Sequence, residues 1–234
     1  MILYYITDRR QLPGTEAQQR ERLLAKIAEA ARCGVDFIQL REKELSPREL
    51  VELARGAMRL VGEADSRLET RHSKLLVNSR IDVALAAGAD GVHLTSTDIP
   101  ASDARAIWAS AIQNSQSETR NWVVAVSCHT PQEVRLAESH GADFAVFAPV
   151  FEKAVAQLTG IGLEQLRQAC RSERRPIGPE GIGTTRMPVL ALGGVTLENA
   201  EQCVRAGAAG VAGIRLFQEN EIATIMADLR ERRP

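Results

Sequence analysis

Arg41 and Lys43 stand two residues apart in Gln39-Leu40-Arg41-Glu42-Lys43, at the end of a short apolar run. Such a pair can cradle an anion, the arginine through its planar fork and the lysine as a point charge. The competing reading is a solvated cluster in which both cations pair with Glu42 and Glu44. His129 directly precedes Thr130-Pro131-Gln132-Glu133, a helix start with a capping hydroxyl, proline at the first helical position and glutamate at the third. The positive end of a helix dipole favours the neutral imidazole, which accepts a proton. A general acid or base there contributes about 10²–10⁴ in rate. The alternative for His129 is packing and a bond to the neighbouring loop. Gly193-Gly194, ahead of Val195-Thr196, would bare backbone N–H groups to a phosphate, with Thr196 capping the next helix. His93 sits within an apolar run and reads as structural, while His72 and His140 read as surface residues.

These residues need a frame, and a repeat supplies it. Glycine followed by a short apolar run recurs at Gly34, Gly88, Gly141 and Gly207, with separations of 54, 53 and 66 residues. Each step is the length of two strand-helix units. The implied fold is α/β, a single (β/α)8 barrel occupying 1–234, and such barrels run to about 250 residues. Strands are expected near 2–7, 35–40, 74–78, 91–95, 122–128, 143–149, 188–193 and 210–214. Several are apolar throughout, as parallel strands buried on both faces are. A second helix start reads Ser46-Pro47-Arg48-Glu49. Polar stretches at 63–73, 113–121 and 171–186 follow helices and precede strands, which puts them on the face away from a barrel's active site. On this frame Arg41, Asn78, Asp98, Ser127, His129, Gly193, Gly194 and Arg215 all fall at or just beyond strand ends.

The bulk properties narrow the function. Twenty-nine basic residues face 30 acidic ones without a long basic stripe, so nucleic acid is not an implied partner. Cys33, Cys128, Cys170 and Cys203 form no C-x-x-C pair and read as reduced thiols. The start, Met1 to Asp8, reads as a strand rather than a signal peptide, and no run approaches the ~18 apolar residues of a membrane span. A cytoplasmic protein is expected.

Taken in order, the strand ends resemble the thiamine phosphate synthase superfamily. The matching pieces are Tyr5-Ile6-Thr7-Asp8, Gln39 to Lys43, Val77-Asn78-Ser79-Arg80 with Ile81 to Leu85, Gly88 to Leu94, Val126 to Thr130, Ala148-Pro149-Val150-Phe151 and Ala191 to Val195. They cover nearly the whole chain. In that superfamily, synthases join a pyrimidine diphosphate to a thiazole phosphate and release pyrophosphate. The resemblance implies that Arg41, Lys43 and Asn78 face the diphosphate. It places Ser127 near the pyrimidine, and Gly193 and Gly194 on the thiazole phosphate. Asp98 matches one Mg²⁺ carboxylate. The other is an aspartate in synthases and is Ser79 here.

Two further departures fall nearby. Synthases carry two threonines and a lysine after strand six, where this chain has Phe151-Glu152-Lys153-Ala154. Glu152 would repel a diphosphate, and Lys153 would replace its grip in part. Arg215 stands where a small serine is usual at the phosphate. Loss on the diphosphate side alone resembles the thiazole tautomerase branch, which moves a proton in a thiazole carboxylate phosphate with a histidine matching His129. That reading needs no cofactor, with Arg41 and Lys43 holding the carboxylate. The alternatives are a synthase whose Mg²⁺ leans on Asp98, and a barrel that binds such ligands without turnover. The resemblance also suggests a homodimer.

Overall fold

Eight β-branched or aromatic runs form the eight strands of a closed, all-parallel barrel in sequential order β1 to β8. The computed structural model describes residues 1–65, 73–113, 122–151, 160–171 and 187–231. The strands are β1 (Ile2–Ile6), β2 (Phe37–Leu40), β3 (Lys74–Asn78), β4 (Gly91–Leu94), β5 (Val123–Cys128), β6 (Phe144–Phe147), β7 (Val189–Ala191) and β8 (Gly210–Gly213). Each lies within two residues of its expected bounds. The connecting helices are α1 (Glu16–Arg32), α2 (Pro47–Asp65), α3 (Ile81–Ala87), α4 (Ala101–Gln113), α5 (Pro131–Ser139), α6 (Leu163–Cys170) and α7 (Ala200–Arg205). Two more, α8 (Arg215–Gln218) and α9 (Ile222–Glu231), follow β8. The expected polar insertions lie mostly outside the described residues. Among the described residues, no helix is long and apolar enough to cross a membrane.

The two-unit period of the sequence has a structural cause. Asp36, Asp90 and Asp143 each accept a backbone N–H from the preceding strand, from Leu3 at 2.9 Å, Leu75 at 2.9 Å and Val124 at 2.6 Å. The carboxylate ahead of β2, β4 and β6 thus staples it to β1, β3 and β5. The fourth copy has Ala209 there and lacks the carboxylate staple; its backbone carbonyl takes the Ile2 N–H of the following strand, as the Asp36 and Asp90 carbonyls take those of Lys74 and Val123. A charge-assisted bond of this kind contributes about 1.5–3 kcal/mol.

Side chains alternate across the strands. Outward residues such as Leu3, Tyr5, Leu75, Val77 and Val92 pack against the helices in the larger core. Inward residues, among them Tyr4, Leu76, Ala125, Phe144, Val146, Leu190 and Ala212, fill the barrel. Two of the three expected helix starts form as read. Ser46 and Glu49 exchange backbone and side-chain bonds, and Thr130 accepts from the Glu133 N–H at 3.1 Å. The third differs. Thr196 does not cap α7, because the chain makes one more turn and the helix begins at Ala200 behind Asn199.

Candidate functional site

Strand alternation carries a line of polar groups into the upper barrel. The Gln39 Nε2–H donates to Tyr4 Oη at 2.9 Å, and Tyr4 Oη meets His93 Nδ1 at 3.0 Å. His93 Nε2 reaches Ser127 Oγ at 2.7 Å. The arrangement that uses every donor runs in one direction. An amide N–H can only donate, so the tyrosine hydrogen goes to His93 Nδ1. The imidazole hydrogen then sits on Nε2 and goes to Ser127. The Ser127 hydroxyl hydrogen is left for whatever occupies the rim. Burial is the main cause that lowers the His93 pKa to about 3, with the Arg41 charge adding to it and Asp98 opposing. His93 is therefore neutral at physiological pH. The structural reading of His93 holds in part, since the residue also orients Ser127. The sequence reading did not single out Tyr4 or Gln39.

Beside this chain, Asp98 is held in a small network. Its Oδ2 accepts the Thr95 N–H at 2.6 Å and the Ser79 hydroxyl at 2.7 Å, while Asn78 Nδ2 donates to Ser79 Oγ at 3.1 Å. Ser79 has φ +57°, left-handed backbone that few residues other than glycine, asparagine and aspartate adopt readily. A Mg²⁺ ion takes one or two carboxylates plus phosphate oxygens. Here one carboxylate is present, and its neighbour donates a proton to it rather than a lone pair to a metal. No group of three His, Cys, Asp or Glu suited to a metal exists among the described residues. This donor set does not fit a resident ion; it fits only a metal that arrives with a substrate's phosphates.

His129 is exposed at the end of β5. Its backbone N–H donates to Glu133 at 2.6 Å, and its Nδ1–H donates to the Ala148 carbonyl at 2.7 Å. A carbonyl can only accept, so Nδ1 carries a hydrogen, and in the neutral ring the lone pair is on Nε2. The loop after β6 thereby sets the tautomer of a residue just beyond β5.

Across the rim, Gly193 and Gly194 have φ +97° and +65°. A Cβ on Gly193 would lie 2.6 Å from Pro149 Cα, so backbone conformation and close approach both require glycine. Val150 and Phe151 N–H groups bond the Leu192 and Gly193 carbonyls at 2.9 and 3.0 Å. These glycines line a cavity of about 820 Å³ together with Thr196, Ile214 and Arg215. The N–H groups of Gly193 and Gly194 have no acceptor among the described residues, which suits an anion. Glu198 and Glu219 line the same cavity, so its favourable end for an anion is the glycine end.

The remaining cations divide. Arg41 is half-buried and Lys43 exposed, and neither has a carboxylate partner among the described residues. The solvated cluster of Arg41 and Lys43 with Glu42 and Glu44 does not form. Both glutamates pair with Arg9: Glu42 lies at 3.2 Å, and Glu44 makes a closer contact. Glu42 is 2% exposed and also accepts from the Thr7 hydroxyl at 2.6 Å and the Arg9 N–H at 3.1 Å. Burial still pushes its carboxyl above the usual range. Arg9 was not singled out in the sequence. Lys153 and Glu152 lie outside the described residues.

The family model described as thiamine monophosphate synthase matches residues 3–217. A Geobacter sulfurreducens protein provisionally named a thiamine-phosphate synthase is 38% identical over 212 residues, covering 90% of this chain and 83% of its own. An Aquifex aeolicus protein, provisionally named thiamine-phosphate synthase 2, is 34% identical, covering 93% and 97%. The solved thiamine phosphate pyrophosphorylase of Pyrococcus furiosus superposes with a TM-score of 0.72 at 29% identity, covering 99% of this chain and 94% of its own.

Proposed function

The chain belongs to the thiamine monophosphate synthase family of enzymes, and from that premise we propose that it catalyses proton transfer within a thiazole carboxylate phosphate. The observation that carries this reading is Ser79, whose hydroxyl gives its hydrogen to Asp98 where the resemblance expects a second metal carboxylate. In the proposed reaction His129 Nε2 takes a proton from one ring-adjacent position of the thiazole and returns it at another. One bond to hydrogen breaks and one forms, with no net gain or loss. The phosphate sits against the Gly193 and Gly194 N–H groups and Arg215. The substrate carboxylate is held by Arg41 and Lys43, and the Ser127 hydroxyl donates to it or to a ring nitrogen. The decisive experiment supplies one thiazole tautomer in deuterated buffer and follows conversion and deuterium incorporation by NMR. Catalysed conversion that His129→Asn abolishes supports the reading; the uncatalysed rate with wild-type enzyme overturns it.

The names of the relatives favour a second reading, condensation of a pyrimidine diphosphate with a thiazole phosphate. There Asp98 is the residue that would hold Mg²⁺ together with the substrate's own phosphates, and the ion would supply charge to the leaving pyrophosphate. Arg41, Lys43, Asn78 and Lys153 would bind the diphosphate. Pyrophosphate release from the two substrates, dependent on Mg²⁺, separates this reading from the first.

A further inference from the structure

The barrel has a second mouth, at the N-terminal ends of the strands and away from the rim. A cavity of about 690 Å³ opens there, lined by Phe37, Lys74, Trp108, Trp122, Phe144 and neighbours. Its walls are aromatic. The indoles of Trp108 and Trp122 are stacked at 4.7 Å and 3° between planes. The rings of Phe37 and Phe144 meet at 4.7 Å, and Tyr4 packs edge-on against both. The charges do not cancel. Arg105 is tied to Asp143 at 2.6 Å and to the Gly141 and Trp122 carbonyls. Lys74 opens β3 on the inward face it shares with Leu76, and it has no carboxylate partner among the described residues. The Nε1–H of Trp122, a residue only 4% exposed, has no acceptor among the described residues. A buried donor left unmet costs about 1–3 kcal/mol, so natural proteins rarely leave one without a reason.

We propose that this N-terminal mouth is a binding site for a small planar aromatic carboxylate. The aromatic walls take the ring, since such faces favour flat apolar groups. The unpaired ammonium of Lys74 takes the carboxylate, and the Arg105–Asp143 pair leaves the site one net positive charge. A neutral aromatic would leave that charge unmatched, and an aliphatic acid would forgo ring contact with the half-buried Phe37 and Trp108. The site is separate from the rim and stands whichever reaction the rim performs.

The chain's two tryptophans both line this cavity, so emission excited selectively in tryptophan rather than in the two tyrosines reports on it. The probe is 4-nitrobenzoate, an aromatic acid that quenches indole emission, with 4-nitrobenzyl alcohol as its neutral counterpart. The expected result is saturable quenching by the acid, at least tenfold weaker for the alcohol. Lys74→Met should weaken the acid tenfold or more, and Arg41→Met at the rim should leave it unchanged. Equal quenching by acid and alcohol, quenching that rises linearly without saturation, or loss in Arg41→Met rather than Lys74→Met overturns the proposal. Should Lys74→Met fail to fold, the acid-to-alcohol comparison in the wild-type protein decides alone.

Discussion

The two sides of the rim are made of different material. On the β7–β8 side the groups proposed to meet the anion are main chain, Gly193 and Gly194, both in left-handed backbone and Gly193 pressed against Pro149. On the β2–β4 side they are side chains hung from strand ends: Arg41, Asn78, Ser79 and Asp98. A site built from backbone accepts no substitution without moving the chain. A site built from side chains changes its chemistry one residue at a time on an unmoved frame. Ser79 illustrates the second case, because its left-handed conformation suits aspartate as well as serine or better. On the proposed reading, the fold holds a monophosphate constant on one side while the partner on the other side varies.

His129, between the two sides, gives the largest expected effect. His129→Asn should lower turnover by about 10²–10⁴ with little change in melting temperature, read by single-turnover kinetics. A variant of full activity would overturn the proposed acid-base role of His129. Gly193→Ala attacks the backbone side. It should weaken phosphate affinity by about tenfold or more and cost about 1–3 kcal/mol of stability, measured by calorimetric titration and urea unfolding. An innocuous alanine would mean the close approach to Pro149 does not hold the loop.

Ser79→Asp tests the side-chain side. The variant should gain a thermal shift of a few degrees with Mg²⁺ and pyrophosphate together, above the wild-type shift, since a second carboxylate adds metal affinity. Equal shifts in both proteins would show that the serine does not govern the metal. The smallest effect at neutral pH concerns His93. Its pKa falls from 6.5 unfolded to about 3 folded, so between these values the unfolded chain binds the extra proton. Stability is therefore full above pH 6.5 and declines as pH falls toward 3. One such proton changes stability by about 1.4 kcal/mol per pH unit. His93→Gln should flatten the urea midpoint against pH in that window, and an unchanged slope would show that His93 is not held neutral.

Much of this frame is legible in the sequence because its causes are local. The Gly-x-Asp copies mark strand starts because Asp36, Asp90 and Asp143 staple neighbouring strands. Ser46 and Thr130 mark helix starts because capping acts over three residues. The line from Gln39 through Tyr4 and His93 to Ser127 is not legible. Its members sit on β2, β1, β4 and β5, and they meet only across the closed barrel. Arg9 escapes for a similar reason. Alternation past β2 turns Glu42 away from Arg41 and toward the short turn after β1. Thr196 misleads because the signal for a cap is the same whether the helix starts at once or one turn later.

Closure itself has a consequence for how the polypeptide matures. Strand β1 pairs with β2 on one edge and with β8 on the other. Gln218 clasps Asp8, and the Ile222 N–H bonds Glu29. During synthesis one edge of β1 has no native neighbour until the last strand leaves the ribosome. For that interval it is an open template for pairing with another nascent chain. The hazard belongs to the youngest molecules and vanishes at the moment the ring shuts.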